Sequence, residues 1–185
     1  MTLQEMKEKI LTLIEEADSE SPYLTNDPDI DAKLNHVINQ IQYELARVKK
    51  IPDYTELEVA EGSLVRFSDI TADYEIYQLD IVKGIKYEYK ANGTIIKCLE
   101  DGTLEVEYFR YPERINAKTN NTYEFELSSD VLECMPYGVA ADVLKSDVSN
   151  AYGNVYAQRY EKMKQEIDIR YNTGSIEFVG EAEWL

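Results

Sequence analysis

The apolar residues of this 185-residue chain change period twice, from three-and-four to two and back again, and no other property restricts its fold as strongly. A three-to-four spacing buries one stripe of a helix, whereas a spacing of two buries one face of a sheet. The chain therefore reads as helices, then strands, then helices, an α+β order. Because the helical stretches flank the strands, they must pack together for either to bury its stripe. An apolar content of 44% supplies enough side chains for such a core.

The first helix opens at Thr2, with Glu5 three residues on, the arrangement in which each side chain satisfies a free amide of the other. Leu3, Met6, Ile10, Leu13, Ile14 and Ala17 carry its stripe, so it is expected to run to about Ala17. Asn26-Asp27-Pro28 opens a second helix, a capping side chain followed by a proline where a missing amide is harmless. Its stripe is Ile30, Leu34, Val37, Ile38, Ile41, Leu45 and Val48, and Pro52 is expected to stop it. A short link should make the two an antiparallel pair.

Residues 55–127 alternate. Leu57 and Val59 stand between glutamates, and residues 76–82 are a β-branched and aromatic run. Asn92-Gly93 and Asp101-Gly102 separate three alternating stretches, 85–89, 95–99 and 104–108. Both dipeptides accept the positive φ of hairpin turns, which predicts a three-stranded antiparallel meander. Helical spacing returns at Ser128-Ser129-Asp130, with a break or kink expected at Pro136. A last helix is expected from Ser149 or Asn150, with the face Tyr152, Val155, Tyr156, Tyr160, Met163 and Ile167, ending at Asn172-Thr173-Gly174. The predicted organisation is a helix pair (1–54), an inserted antiparallel β region (55–127), a second helix pair on the first (128–173) and an extended arm (174–185). The fold is thus a bundle of about four helices with a small inserted sheet.

Charge and composition exclude several functions. Nineteen basic residues face 36 acidic ones, a net charge of −17 that opposes wrapping of nucleic acid, whose binders neutralise phosphates with Lys and Arg. Such acidity serves solubility, or lines a surface past which DNA slides without sticking. No run reaches the roughly 20 apolar residues of a membrane span, and residues 1–9 lack the pattern of a signal peptide, so no membrane association is expected. Cys98 and Cys134 have no second thiol or histidine at metal-ligand spacing and read as buried and reduced, which suits the cytoplasm.

The remaining candidates for chemistry are weak. Asp27, Asp29 and Asp31 begin like a calcium loop, but Ala32 and Ile38 stand where that loop needs glycine and glutamate. Glu105 with Glu107, and Glu124 with Glu126, are carboxylate pairs of the type used in glycoside hydrolysis, yet alternation puts them on the wet face of a sheet. His36 is the single histidine and reads as a surface or boundary residue. No glycine-rich phosphate loop occurs. No catalytic residue, metal or cofactor is therefore assigned. The 15 tyrosines stand out. In strands they follow β propensity, but Tyr137, Tyr152, Tyr156, Tyr160 and Tyr171 are on helices, where they serve either an interface or a core.

Three stretches carry a family resemblance. Leu104-Glu105-Val106-Glu107-Tyr108-Phe109-Arg110-Tyr111-Pro112-Glu113-Arg114-Ile115 resembles the last strand, with its aromatic-proline turn, of the head-to-tail adaptor proteins of tailed bacteriophages. Residues 126–147, an acidic capped start running into Ala140-Ala141, are similar to that family's next helix, and residues 151–167 resemble its final helix. Residues 175–185 look like its C-terminal arm. The resemblance implies a non-enzymatic virion protein, assembled in the bacterial host cytoplasm and found at the head-tail junction. There it would form a ring, typically of twelve copies, that docks under the portal protein, extends the DNA channel and receives the tail or stopper protein. DNA would only pass through. Ile176, Phe178, Val179, Trp184 and Leu185 of the arm would dock on a neighbour or the portal, with Tyr152 and Tyr156 as further contacts. A tail or baseplate component, or another protein-binding module, is the alternative.

Overall fold

The computed structural model of the protein describes residues 1–145 and 151–172. The arm residues Ile176, Phe178, Val179, Trp184 and Leu185 lie outside this range. The fold is α+β. Four long helices, α1 (Leu3–Leu13), α2 (Pro28–Val48), α4 (Ser129–Leu144) and α5 (Ala151–Asn172), surround one apolar core. Between α2 and α4 come β1 (Ile51–Val59), β2 (Leu64–Arg66), the short helix α3 (Phe67–Ile70), β3 (Ile76–Lys83), β4 (Tyr87–Lys90), β5 (Ile95–Cys98) and β6 (Gly102–Arg110). The strands enclose a second core that includes Val65, Ile96, Leu104 and Val106.

Helix starts follow the capping chemistry. Thr2 Oγ1 accepts from the Glu5 amide at 3.2 Å, and Glu5 Oε2 accepts from the Thr2 amide at 2.8 Å. Asp27 Oδ1 accepts from the amides of Asp29 and Ile30, at 2.8 and 3.3 Å. The end of α1 differs from the expectation of about Ala17. Glu15 turns left-handed at φ 61°, and the amides of Glu15 and Glu16 close onto the carbonyls of Thr12 and Leu11. A left-handed residue after a helix caps its last carbonyls, and glutamate takes that role here in place of glycine.

α4 is the central element. Val131, Leu132, Cys134, Met135, Pro136, Gly138, Val139, Ala140 and Val143 are all buried, so three of its sides meet α1, α2 and α5. The expected pairing of α1 with α2 is replaced by packing of each on α4. The expected break at Pro136 is absent too, and α4 runs continuously through it. A mid-helix proline costs about 3 kcal/mol, and packing on three sides holds this helix intact.

Strand pairing departs from a meander. β6 lies between β1 and β3, while β5 lies between β2 and β4, giving two antiparallel three-stranded sheets with a shared core. The Asn92-Gly93 region does join β4 to β5 as a hairpin. At Asp101-Gly102, however, the chain changes sheets. Glu100 Oε1 accepts from the Lys86 amide at 2.9 Å and Asp101 Oδ1 from the Glu61 amide at 2.7 Å, so both side chains tie other loops. Strands begin at Ile51, earlier than expected, because Pro52 sits in β1, an edge strand that tolerates a missing amide.

After Arg110 the chain is irregular to Ser128, and its apolar side chains Tyr111, Ile115, Phe125 and Leu127 enter the helical core. Asn39 holds this segment as a strand would. Its Nδ2 donates to the Ile115 carbonyl at 2.7 Å, and its Oδ1 accepts from the Ile115 amide at 2.8 Å and from Gln42 Nε2 at 2.8 Å. Tyr111 stacks on Tyr43 at 4.5 Å between centroids, and Arg47 Nε donates to its hydroxyl at 2.6 Å. Arg110, 11% exposed, donates to Asp53 at 2.8 Å and to both oxygens of Glu126 at 3.1 and 2.9 Å. These contacts fasten the sheets to the helices.

Candidate protein-interaction surfaces

α5 presents two unlike sides. Tyr160 and Ile167 are buried, and Tyr156 and Met163 pack beside them on the helical core. The close approach depends on Gly138 of α4, where a Cβ would stand 2.8 Å from Cε2 of Tyr160 and 3.2 Å from Cγ2 of Ile41. Burial pushes the Tyr160 phenol well above its ordinary pKa. It pushes the neighbouring Cys134 thiol up to about 12, so that thiol is protonated and inert at neutral pH.

Along the flank of α5 a second stripe recurs at three and four residues: Tyr152, Val155, Arg159, Lys162, Glu166 and Ile169, all exposed. Tyr152 is 63% exposed, Val155 56% and Ile169 63%, high values for large apolar side chains. The first eight residues of α5 carry no charge, and the helix as a whole holds four basic and three acidic residues in a chain of net charge −17. α5 is thus nearly neutral in an acidic molecule, with the exposed bases Arg159 and Lys162 on this flank.

The two tyrosines expected at an interface take different places. The Tyr156 hydroxyl donates to the Leu13 carbonyl at 2.8 Å and ties α5 to the end of α1. Tyr152 stacks on its outer side with centroids 6.4 Å apart, and Tyr137 lies 6.2 Å away on the other. The Arg159 guanidinium sits 4.3 Å from the Tyr137 ring centroid. Below these rings a groove of about 860 Å³ opens between α1, α4 and α5, lined by Glu8, Lys9, Glu133, Arg159 and Met163 among others. Such amphipathic rings beside a charged rim suit recognition of protein.

A second surface, missed from the sequence, is the outer face of the β1–β6–β3 sheet. Register places Tyr54, Glu107 and Ile81 in one row across it, and Glu56, Glu105 and Lys83 in the next, with Glu58 beyond. Tyr54 and Ile81 are 46% and 47% exposed. Tyr54 donates to Glu56, and that bond lifts its phenol to about 12. Lys83 bridges Glu105 and Glu107 at 3.5 and 3.1 Å. Beside Tyr54 a hollow of about 450 Å³ is walled by Pro52, Asp80 and Phe109, and Lys50 lies over the Phe109 ring at 4.4 Å. The signal for this face was present in β1, where Tyr54 falls on the same alternation as Glu56 and Glu58, whereas the register shift between Leu79 and Ile81 hid Ile81.

The carboxylates considered for chemistry all hold structure. Glu105 and Glu107 meet Lys83, Glu126 clamps Arg110, and Glu124 lies in an isolated bridge with Thr2. His36 is exposed on α2, and Cys98 and Cys134 are buried and unpaired with each other. Among the described residues no group of three or more His, Cys, Asp or Glu is placed to hold a metal ion, and no helix is long and apolar enough to cross a membrane. Compared with known proteins, the chain matches no family model and no curated protein.

Proposed function

We propose that the protein is a structural adaptor of the head-to-tail connector of a tailed bacteriophage, a non-enzymatic subunit that forms a ring under the portal and receives the tail or stopper. The observation that carries this reading is the exposed flank of α5, where Tyr152 and Val155 stand largely in solvent beside the amphipathic groove. A chain that buries its other helical stripes and leaves this one open has a surface made for contact with protein. The acidic balance supports the same reading, since a negative lumen lets DNA slide without adhering.

Purified protein imaged by electron microscopy alone and with portal rings tests it. Added rings stacked coaxially on the portal are expected. Failure to join the portal at any concentration removes the reading. A tail or baseplate binding module is the second reading, favoured by the separate β core and by exposed Tyr54 and Ile81. Deleting residues 175–185 separates the two: the adaptor loses portal attachment, whereas the module assembles unchanged.

A further inference from the structure

We infer that the exposed flank of α5 in one copy packs on the outer face of the β1–β6–β3 sheet in the next copy, a head-to-tail contact between identical chains. This rests on the reading that the protein assembles with itself, and names the two faces that meet.

The faces match in order and in spacing. On α5 the apolar pair Tyr152 and Val155 precedes the bases Arg159 and Lys162, all exposed. Val155 and Lys162 are seven residues apart, about 10 Å along a helix. On the sheet Tyr54 and Ile81, on either side of Glu107, precede the acids Glu56, Glu105 and Glu58. Tyr54 to Glu56 spans about 7 Å and Tyr54 to Glu58 about 13 Å of strand, which brackets the helical step. The hollow beside Tyr54, walled by Pro52, Tyr108 and Phe109 and rimmed by Asp53, Asp80 and Glu107, lies at the end where Tyr152 would enter, its phenol hydroxyl toward the carboxylates. Lys83 is held between Glu105 and Glu107 and Lys50 lies over Phe109, while among the described residues Glu56 and Glu58 accept only the hydroxyls of Tyr54 and Thr103, which leaves their charge for Arg159 and Lys162 to meet.

Electrostatics selects this pairing over a two-fold one. Identical chains of charge −17 repel, and contact is favourable only where opposite signs meet. Sheet against sheet sets glutamate on glutamate, and α5 against α5 leaves those glutamates uncompensated. Both faces are exposed in a single chain, so they do not satisfy each other within it. A contact between two different faces propagates from copy to copy and closes into a ring when the rotation allows.

Sedimentation velocity tests the pairing. Wild type is expected to associate with rising concentration, less so in high salt. R159E/K162E and E56K/E58K are each expected to weaken association about tenfold or more, and an equimolar mixture to restore it. Because Arg159 also contacts Tyr137, the milder pair K162E and E56K is run alongside, with circular dichroism to show that each variant is folded. Association unchanged in the variants, a mixture that fails to recover, or a wild type that stays monomeric overturns the pairing. Portal binding of the same wild-type sample judges the adaptor reading separately, so the two failures are told apart.

Discussion

Asn39 shows how one side chain replaces a strand. Its amide donates to and accepts from the backbone of Ile115, inside a region where neither group meets water. Replacing Asn39 by Ala orphans both backbone groups, and an unmet buried group costs about 1–3 kcal/mol. Urea denaturation of Asn39→Ala should therefore show a loss of about 2 kcal/mol. Glu15 presents the opposite case, an ordinary residue at a left-handed angle of φ 61°. Its strain is about 1 kcal/mol. Glu15→Gly relieves that strain and should raise stability by several tenths of a kcal/mol after the entropy of the unfolded glycine is set against it. No pattern in the sequence marked Glu15, because the usual sign of such a cap is glycine itself.

At the scale of elements, helix starts and strand spans were legible because the groups that set them are local. Thr2, Glu5 and Asp27 satisfy amides within three residues of themselves, and alternation shows directly along a strand. Pairing was not legible. A turn dipeptide tells where the chain reverses and not which neighbour it meets, so Asp101-Gly102 read as a hairpin although it carries the chain from one sheet to the other. The α5 stripe was legible as apolar, but the division between buried Tyr160 and exposed Tyr152 depends on α4, and above all on Gly138. Gly138→Val drives a branched side chain into Tyr160 and Ile41. Overpacking costs about 1–3 kcal/mol, more than the roughly 0.5 kcal/mol gained in helix propensity. A drop in the urea midpoint, with Tyr156 and Tyr152 displaced together, is the expected result.

At the scale of the whole molecule, burial of phenols and thiols sets an alkaline limit. Burial, followed by the neighbouring Tyr111, lifts Tyr77 to about 12 from an ordinary 10.0, and burial lifts Cys134 to about 12 from 9.0. Tyr43 and Tyr108 rise for the same first cause. Each group is neutral in both states at low pH, so its contribution is intact there. Above pH 9 for the thiol and pH 10 for the phenols the unfolded chain ionises first, and stability falls until the folded groups ionise near 12. Thermal midpoints should hold steady from pH 7 to about 9 and then decline steeply. The central place of α4 also dictates a timetable. α2 is complete at Val48, whereas the surface it packs on is complete only at Leu144. A ribosome adds roughly 5–20 residues each second, so α1 and α2 wait on the order of ten seconds for α4, with only the segment around Tyr111 and Ile115 reaching α2 sooner. The sheets, whose partners all emerge in between, can close meanwhile. The nascent chain therefore matures from the sheets outward, and α1 and α2, made before the strands, are among the last of these elements to find shelter.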